Sequence, residues 1–464
     1  LRQRWAELCR RHLPLRPEGS IWRYSRGLLP GDPEQGWKLH VPATVLTAGE
    51  VLGAVGPLLK GRGVLYKATA TLDELDRLNS GIHYGYSQVG KFLTIYPRTD
   101  EEAVLLARAL HRLTRGMEAP SVPFDLRYRE GGCVYYRFGA FQALGDDGAG
   151  AHVIRDPEGR LVPDRRDCAE QPAWASDPFA RRRPRRPRAA PESPLKTTYR
   201  VFRALAQRGR GGVYQALDVS AWPPRLCVLK EGRRAGEVGL DGRDGFWRVR
   251  HEARVLEALA AAGVEAPRPY VSFEAEGNYY VAAEFVAGES LNAVLGRRQR
   301  RLPVAAALRY GAELARLVAR LHEAGWVWRD CKPGNVILTE GGGLRPLDFE
   351  GACRVESPDP LPWGTPAFAP PEGGAEFRGQ SRLPEDLYAL GAVVYFLLAG
   401  RTPEPAGPVP LGRMRRGVPG AALKVVAELL DRDPSRRPAA AEAARRLGRA
   451  VPSAKPRRAV RASG

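Results

Sequence analysis

The segment WRDCKPGNVIL, residues 328–338, holds an aspartate, a lysine and an asparagine in an order that chemistry can use. Asp330 can orient an attacking hydroxyl and take its proton. Lys332 can neutralise a transferring phosphoryl group. Asn335, with four residues between it and Asp330, can ligate Mg²⁺. Phosphoryl transfer asks for little covalent chemistry: phosphates must be held, Mg²⁺ placed and one proton accepted. The other parts of such a set follow in the required order. Lys230 ends the strand-like run CVLK and can reach nucleotide phosphates as a point charge. Glu252, opening the helical run HEARVLEAL, is the acidic partner expected to hold it, with Glu257 as second choice. Asp348, in PLDFEG, is the second expected Mg²⁺ ligand, with Phe349 behind it. The run RGRGGVY, residues 208–214, offers Gly211, Gly212 and Val213 to the nucleotide. A short GxGG is equally well explained as a β-turn; here it gains weight from its place before Lys230.

These parts make the plan of a protein kinase using ATP or another NTP with Mg²⁺. WGTPAFAPPE, residues 363–372, resembles the end of an activation segment. Glu372 is expected to pair with a buried arginine, Arg437, and Asp386 to hold the catalytic loop's backbone. Three departures stand out. Trp328 replaces the usual histidine of the catalytic loop, at a position that packs rather than reacts. Glu350 replaces the glycine after Asp348 and Phe349, which should cost the turn its freedom at φ > 0. The glycine-rich run is sparse, with Ala206 and Arg208 where earlier glycines are usual.

A second cluster lies in the first half. In GWKLHV, Lys38 and His40 are two apart, and on a strand such residues share a face. A lysine and a histidine on one face can serve as base and acid in a β-elimination, with desolvation and neighbouring cations lowering the lysine pKa. Lys67, Lys91, Arg127 and Arg137 follow, and Tyr96 adds a hydroxyl. Taken singly, each is most simply a surface charge.

The elements that must position these residues are legible in outline. Val64–Ala70, Phe92–Tyr96 and Val134–Phe138 have strand character, and 100–114 has helical spacing at Ala103, Leu106, Ala107 and Leu110. Further strands are expected at Tyr199–Ala206, Val213–Asp218 and Cys227–Lys230, with long helices from Val304 onward. The fold class is therefore α+β: an N-terminal mixed α+β domain, 1–180, then a bilobal kinase fold, 197–450. Between them, 181–196 begins RRRPRRPRAAP, where proline blocks regular structure and like charges repel, so it reads as an extended linker. The tail 451–464 is basic and expected to be disordered.

Composition narrows the classes. A formal charge of +20 points to an anionic partner, although Arg-rich composition throughout explains part of it. The six cysteines form no CxxC pair, which argues against a disulfide framework or structural zinc and fits a reducing cytoplasm. No stretch reaches the roughly 18 apolar residues of a membrane span, and Leu390–Ala399 is short enough for a buried helix. The given residues show no signal-peptide pattern. No aromatic–basic recognition motif supports nucleic-acid binding.

The stretches GWKLHVPAT, LNSGIHYGYSQVGKFLTIYP, VPFDLRY, VYYRFGAF and GRLVPDRRD, with GGVYQALD, VLKEGRR, WRDCKPGNVIL and LDFEGA, resemble the class III (and related class IV) lanthipeptide synthetases over about residues 20–445. That resemblance implies a kinase that phosphorylates Ser or Thr in a ribosomally made precursor peptide bearing a leader. It also implies a phospho-Ser/Thr lyase that eliminates the phosphate to leave a dehydroamino acid. By similarity to phosphothreonine lyases, Lys38 abstracts the α-proton, His40 protonates the leaving phosphate, and Lys67, Lys91 and Arg137 hold it. The DFE variant and sparse glycines look like habits of the family. A cyclase would follow the kinase in that order of domains and has no room here, so the chain is expected to be a fragment or to leave ring closure to another protein; its start on Leu likewise allows for a missing beginning. Two other readings compete. A plain Ser/Thr kinase with a regulatory N-terminal domain leaves Lys38 and His40 unexplained. A non-catalytic nucleic-acid or peptide-binding protein leaves Asp330, Asn335 and Asp348 unexplained. Oligomeric state, precursor identity and nucleotide preference have no signature in the sequence.

Overall fold

The computed structural model describes all residues except 143, 146–151, 181–192, 299–300, 375–380, 405–406 and 453–464. Most of the expected Arg/Pro linker and of the basic tail lies outside the described residues; at the linker's end, Pro194–Thr197 forms a short helix. The chain divides into two compact units, Leu1–Arg250 with Ser272–Val281, and His251–Val271 with Ala282–Gly464.

The first unit is built on a six-stranded antiparallel sheet in the order Trp22–Tyr24, Leu65–Thr69, Leu93–Tyr96, Gln35–Val41, Tyr135–Ala140 and Leu126–Arg127. Side chains alternate across a strand, so each strand sends one set to each face. Trp37, Leu39, Val41, Tyr66, Ala68, Leu93, Ile95 and Tyr136 go to an apolar core. Helices Ala48–Gly61 and Asp100–Leu113 contribute Val51, Leu52, Val55, Leu59, Leu106 and Leu110 to the same core. The helix at 100–113 starts as its sequence suggests: the Thr99 side chain accepts from the Glu102 N–H, and three acidic residues occupy the first turn. The helix Ala48–Gly61 has Thr47 at its N-cap and Glu50 in its first turn, but Thr47 makes no side-chain capping hydrogen bond. It carries glycines and Pro57, poor helix formers, and owes its form to the apolar side chains it buries.

Three more strands of this unit, Tyr199–Arg208, Gly211–Asp218 and Arg225–Gly232, pair antiparallel and correspond to the strands read from the sequence. Only Gly209 and Arg210 connect the first two, so the glycine-rich run is a tight hairpin tip.

The second unit is mainly helical. Val304–Glu323, Leu383–Ala399, Gly420–Leu429 and Ala440–Arg449 enclose a core that includes Leu308, Ala312, Leu390, Val394, Val425 and Leu447. Two small antiparallel pairs matter for function. Trp326–Val327 pairs with Cys353–Arg354, and Val336–Leu338 pairs with Leu344–Pro346. They clamp both ends of residues 328–335 and of 347–352, so Asp330, Asn335 and Asp348 sit on short, tethered loops. No helix among the described residues is long and apolar enough to cross a membrane.

Candidate functional site

In the first unit, register alone gathers the chemistry. Lys67 and His40 both lie opposite Thr94 on neighbouring strands, Tyr24 lies opposite Lys67, and Arg137 lies opposite Lys38. Residues paired across a ladder share a face, so Lys38, His40, Lys67 and Arg137 all project away from the apolar core. With Lys91, from the loop after the turn Tyr86–Gln88, they line a cavity of about 390 Å³. Tyr96 lines it too, whereas Arg127 does not.

The cavity's electrostatics depend on two carboxylates that sequence reasoning missed. Asp125 accepts a 2.5 Å hydrogen bond from His40 Nδ1 and lies 3.4 Å from Lys91 Nζ. Asp164 accepts from Arg137 at 2.9 Å and pairs with Arg166 at 3.2 Å. Arg166 also lines the cavity and was not singled out. Lys38 Nζ donates to the Ala140 carbonyl at 2.9 Å. Burial holds Lys38 well below an ordinary lysine; Asp164 opposes the shift, while Arg137, Arg166 and Lys91 add to it. Burial, then Arg166 and Lys91, lowers Lys67 to about 8. Burial also lowers His40 to about 4, against the pull of Asp125. For Asp125 burial works upward, but His40 and Lys91 outweigh it and keep the group ionised. Lys67 Nζ sits 4.2 Å from the centre of the Trp22 ring. Asp125 and Asp164 stood within quoted stretches, VPFDLRY and GRLVPDRRD, yet an isolated acid gives no sign of which base will fold against it.

On the kinase strands, Lys230 lies opposite Val213, and Gly211 and Gly212 lie opposite Arg208 and Gln207. The lysine and the hairpin end are therefore neighbours in one sheet.

In the second unit the catalytic loop is fully engaged. Asp330 accepts from Lys332 Nζ at 2.6 Å, from Asn335 Nδ2 at 2.9 Å and from Thr365 Oγ1 at 3.0 Å. Thr365, in WGTPAFAPPE, is a partner the sequence did not announce. Burial raises the Asp330 carboxyl, with the Lys332 bond opposing. Asp386 accepts from the backbone N–H groups of Trp328 at 2.8 Å and Arg329 at 2.7 Å, and Arg329 is left at φ 68°. Glu372 and Arg437 form a bidentate pair. Trp328 packs, stacking on Phe349 with centroids 5.7 Å apart while its indole N–H donates to the Asp348 carbonyl at 3.0 Å.

Glu350 behaves differently from its sequence expectation. The residue at positive φ is Asp348, at 62°, and Glu350 is not among the left-handed residues, so no glycine is required there. The Glu350 side chain is instead buried, and its carboxylate gathers with those of Glu252 and Asp348 within 4.8 Å. Glu252 also accepts from the Phe349 N–H at 3.1 Å. A set of hard oxygen donors suits Mg²⁺ rather than a thiophilic metal.

A catalytic loop held in this way, on this helical scaffold, defines a protein kinase. Residues 243–446 match the protein kinase domain, and residues 15–191 match "RamC, N-terminal domain". The chain thus carries a region matching the RamC N-terminal domain followed by a protein kinase domain. Among relatives, "Probable SapB synthase" of Streptomyces coelicolor is 31% identical over 408 residues, 82% of this chain and 42% of that protein. "Serine/threonine-protein kinase pkn2" of Myxococcus xanthus is 31% identical over 282 residues, 54% of this chain and 32% of that protein. "Serine/threonine-protein kinase PknA" of Nostoc is 29% identical over 223 residues, 46% of this chain and 39% of that protein. The chain spans less than half the length of each.

Proposed function

We propose that this protein dehydrates a precursor peptide in two steps, as an ATP- and Mg²⁺-dependent Ser/Thr kinase and as a lyase acting on the phosphorylated product. The observation that carries the second step is the cavity lined by Lys38, His40, Lys67, Lys91 and Arg137. A plain kinase has no use for buried lysines of lowered pKa around a cationic hollow. The division of labour follows the sequence boundaries, with the lyase in 1–180 and the kinase in 197–450. The working place is the cytoplasm, where free thiols such as the six here persist.

In the kinase, Asp330 accepts the proton of the peptide hydroxyl and Lys332 balances the charge of the moving phosphoryl group. Gly211, Gly212, Val213 and Lys230 attend the nucleotide, and Asn335 and Asp348 would hold Mg²⁺, with Glu252 supporting. Mg²⁺ would supply neutralisation of phosphate charge. In the lyase, a lysine takes the α-proton as the Cβ–O bond to phosphate breaks and the Cα=Cβ bond forms. His40 gives a proton to the departing phosphate, and Lys91, Arg137 and Arg166 stabilise its growing charge. Lys38 is the first choice as base. Lys67 is the second, favoured by a pKa near 8 and its place in the cavity wall, in which case Lys38 joins the phosphate holders.

The test is mass spectrometry of a precursor peptide encoded nearby, incubated with ATP and Mg²⁺. Loss of water at Ser or Thr supports both steps. A stable phosphopeptide as the final product on a competent precursor sinks the lyase and leaves a Ser/Thr kinase.

A further inference from the structure

The hairpin that carries Gly211 and Gly212 is held at its tip by the N-terminal domain. Gly209 N–H donates to the Ser80 carbonyl at 3.1 Å. A Cβ on Gly209 would lie 1.6 Å from the Asn79 carbonyl oxygen, so only glycine permits this approach. Asn79 and Ser80 end the helix Leu72–Ser80, where carbonyl groups lack helical partners and accept from outside. Asn79 is itself fixed, its buried amide donating to the Ala43 carbonyl at 2.9 Å and accepting from Gly90 N–H at 3.2 Å.

A second contact lies beside the first. The Arg233 guanidinium sits 5.0 Å from the centre of the Tyr86 ring. Arg233 is buried and ties three parts of the hairpin sheet together. It donates to the Arg208 carbonyl at 3.0 Å and to Glu231 at 2.9 Å, and its N–H donates to the Arg210 carbonyl at 2.8 Å. Glu231 directly follows Lys230 and also accepts from Tyr214, Asn278 and Tyr280. Tyr86 is braced in turn by an edge-on contact with Phe124, centroids 5.8 Å apart.

We infer that Tyr86, with the Asn79–Ser80 helix end, is a positioning element for the kinase, fixing the hairpin and Lys230 in the geometry that receives nucleotide. This inference rests on reading the C-terminal domain as a nucleotide-binding kinase. It makes the N-terminal domain a structural part of the kinase's phosphate cradle as well as a neighbour along the chain. Tyr86 acts through Arg233 and touches no reacting atom. Its ring face attracts the guanidinium, because a cation over an aromatic face responds to the ring quadrupole, and its hydroxyl side also interacts with Arg233.

The experiment uses the full chain and a fluorescent N-methylanthraniloyl analogue of ATP with Mg²⁺. Tyr86→Ala is expected to raise the Kd about fivefold, ~1 kcal/mol, with the melting temperature held. Tyr86→Phe keeps the ring face but loses the hydroxyl, and is expected to bind more tightly than Tyr86→Ala, between that variant and wild type. Gly209→Ala, which forces the hairpin tip off the Asn79 carbonyl, is expected to weaken binding at least as much. Equal Kd for Tyr86→Ala and wild type overturns the inference while leaving the kinase reading standing. Equal losses in the Phe and Ala variants, with lowered melting temperatures, assign Tyr86 to folding alone and also overturn it. No nucleotide binding by wild type removes the kinase reading itself.

Discussion

His40 and Lys91 share one carboxylate, Asp125, and that sharing governs what each can do. With a pKa near 4, His40 is neutral at pH 7 in the free protein. A phosphate dianion entering the cavity favours the charged imidazole and raises that value, so binding should load the proton later given to the leaving group. Calorimetry of a phosphopeptide with Lys38→Ala enzyme, in buffers of different ionisation enthalpy near pH 7, should show proton uptake that is reduced when His40→Ala is added. Asp125→Asn removes the charge that favours imidazolium, and elimination should fall by about 10²-fold or more, the scale of a lost general acid. The rate of phosphate release from a synthetic phosphopeptide measures it; an unchanged rate would leave Asp125 a packing residue. The choice between the lysines is a matter of pH. A base must be neutral, and the neutral fraction of Lys67 grows as pH rises through about 8. If Lys67 is the base, kcat/KM for elimination should climb through that range, and Lys67→Ala should abolish it. An alkaline limb that survives Lys67→Ala and disappears in Lys38→Ala would give the role to Lys38.

At the scale of elements, two close approaches carry the geometry. On the strand Tyr135–Ala140, a Cβ at Gly139 would lie 3.0 Å from Lys38 Cε and Nζ and from Asp164 Oδ1. The flexible end of Lys38 is the easier of these to displace, so Gly139→Ala should cost little stability and yet slow elimination, read by melting temperature beside the elimination rate. In the catalytic loop the balance is reversed. Asp386→Ala leaves the buried N–H groups of Trp328 and Arg329 without this acceptor, at about 1–3 kcal/mol each. Melting temperature and kinase rate should therefore fall together. These elements also mark how far the sequence could be read. The strand holding Lys38 and His40 was legible because period-two spacing fixes a shared face. The catalytic loop was legible because its spacing is a property of the local chain. Asp125 was not, since its partner His40 lies 85 residues away and only tertiary folding joins them. The helix Ala48–Gly61 was not, because burial overrides its poor propensity. The expectation at Glu350 placed the left-handed residue two positions too late, at Glu350 rather than Asp348.

For the whole molecule, the proposed function joins two chemistries through one intermediate, a phosphorylated peptide that the kinase makes and the lyase consumes. A net charge of +20 favours keeping such an anionic product near the protein between the two steps, and salt should weaken that retention. The two sites draw on separate residues, so they should separate genetically. Asp330→Asn removes the kinase base with little change of shape and should leave precursor unmodified in the presence of ATP and Mg²⁺. The same variant should still eliminate phosphate from a synthetic phosphopeptide. Lys38→Ala, with Lys38 as base, should do the reverse and accumulate phosphopeptide. Mixed together, the two variants should restore the loss of water, because the intermediate released by one can be taken up by the other. The mixture should work more slowly than wild type and should slow further on dilution, since transfer between molecules depends on concentration whereas transfer within one does not. Mass spectrometry over time follows all three species at once. Dehydration of unmodified precursor by Asp330→Asn alone would sink the kinase assignment. Failure of the Asp330→Asn variant to act on phosphopeptide, with wild type equally inactive on it, would sink the lyase and leave the cationic cavity to bind phosphate without chemistry.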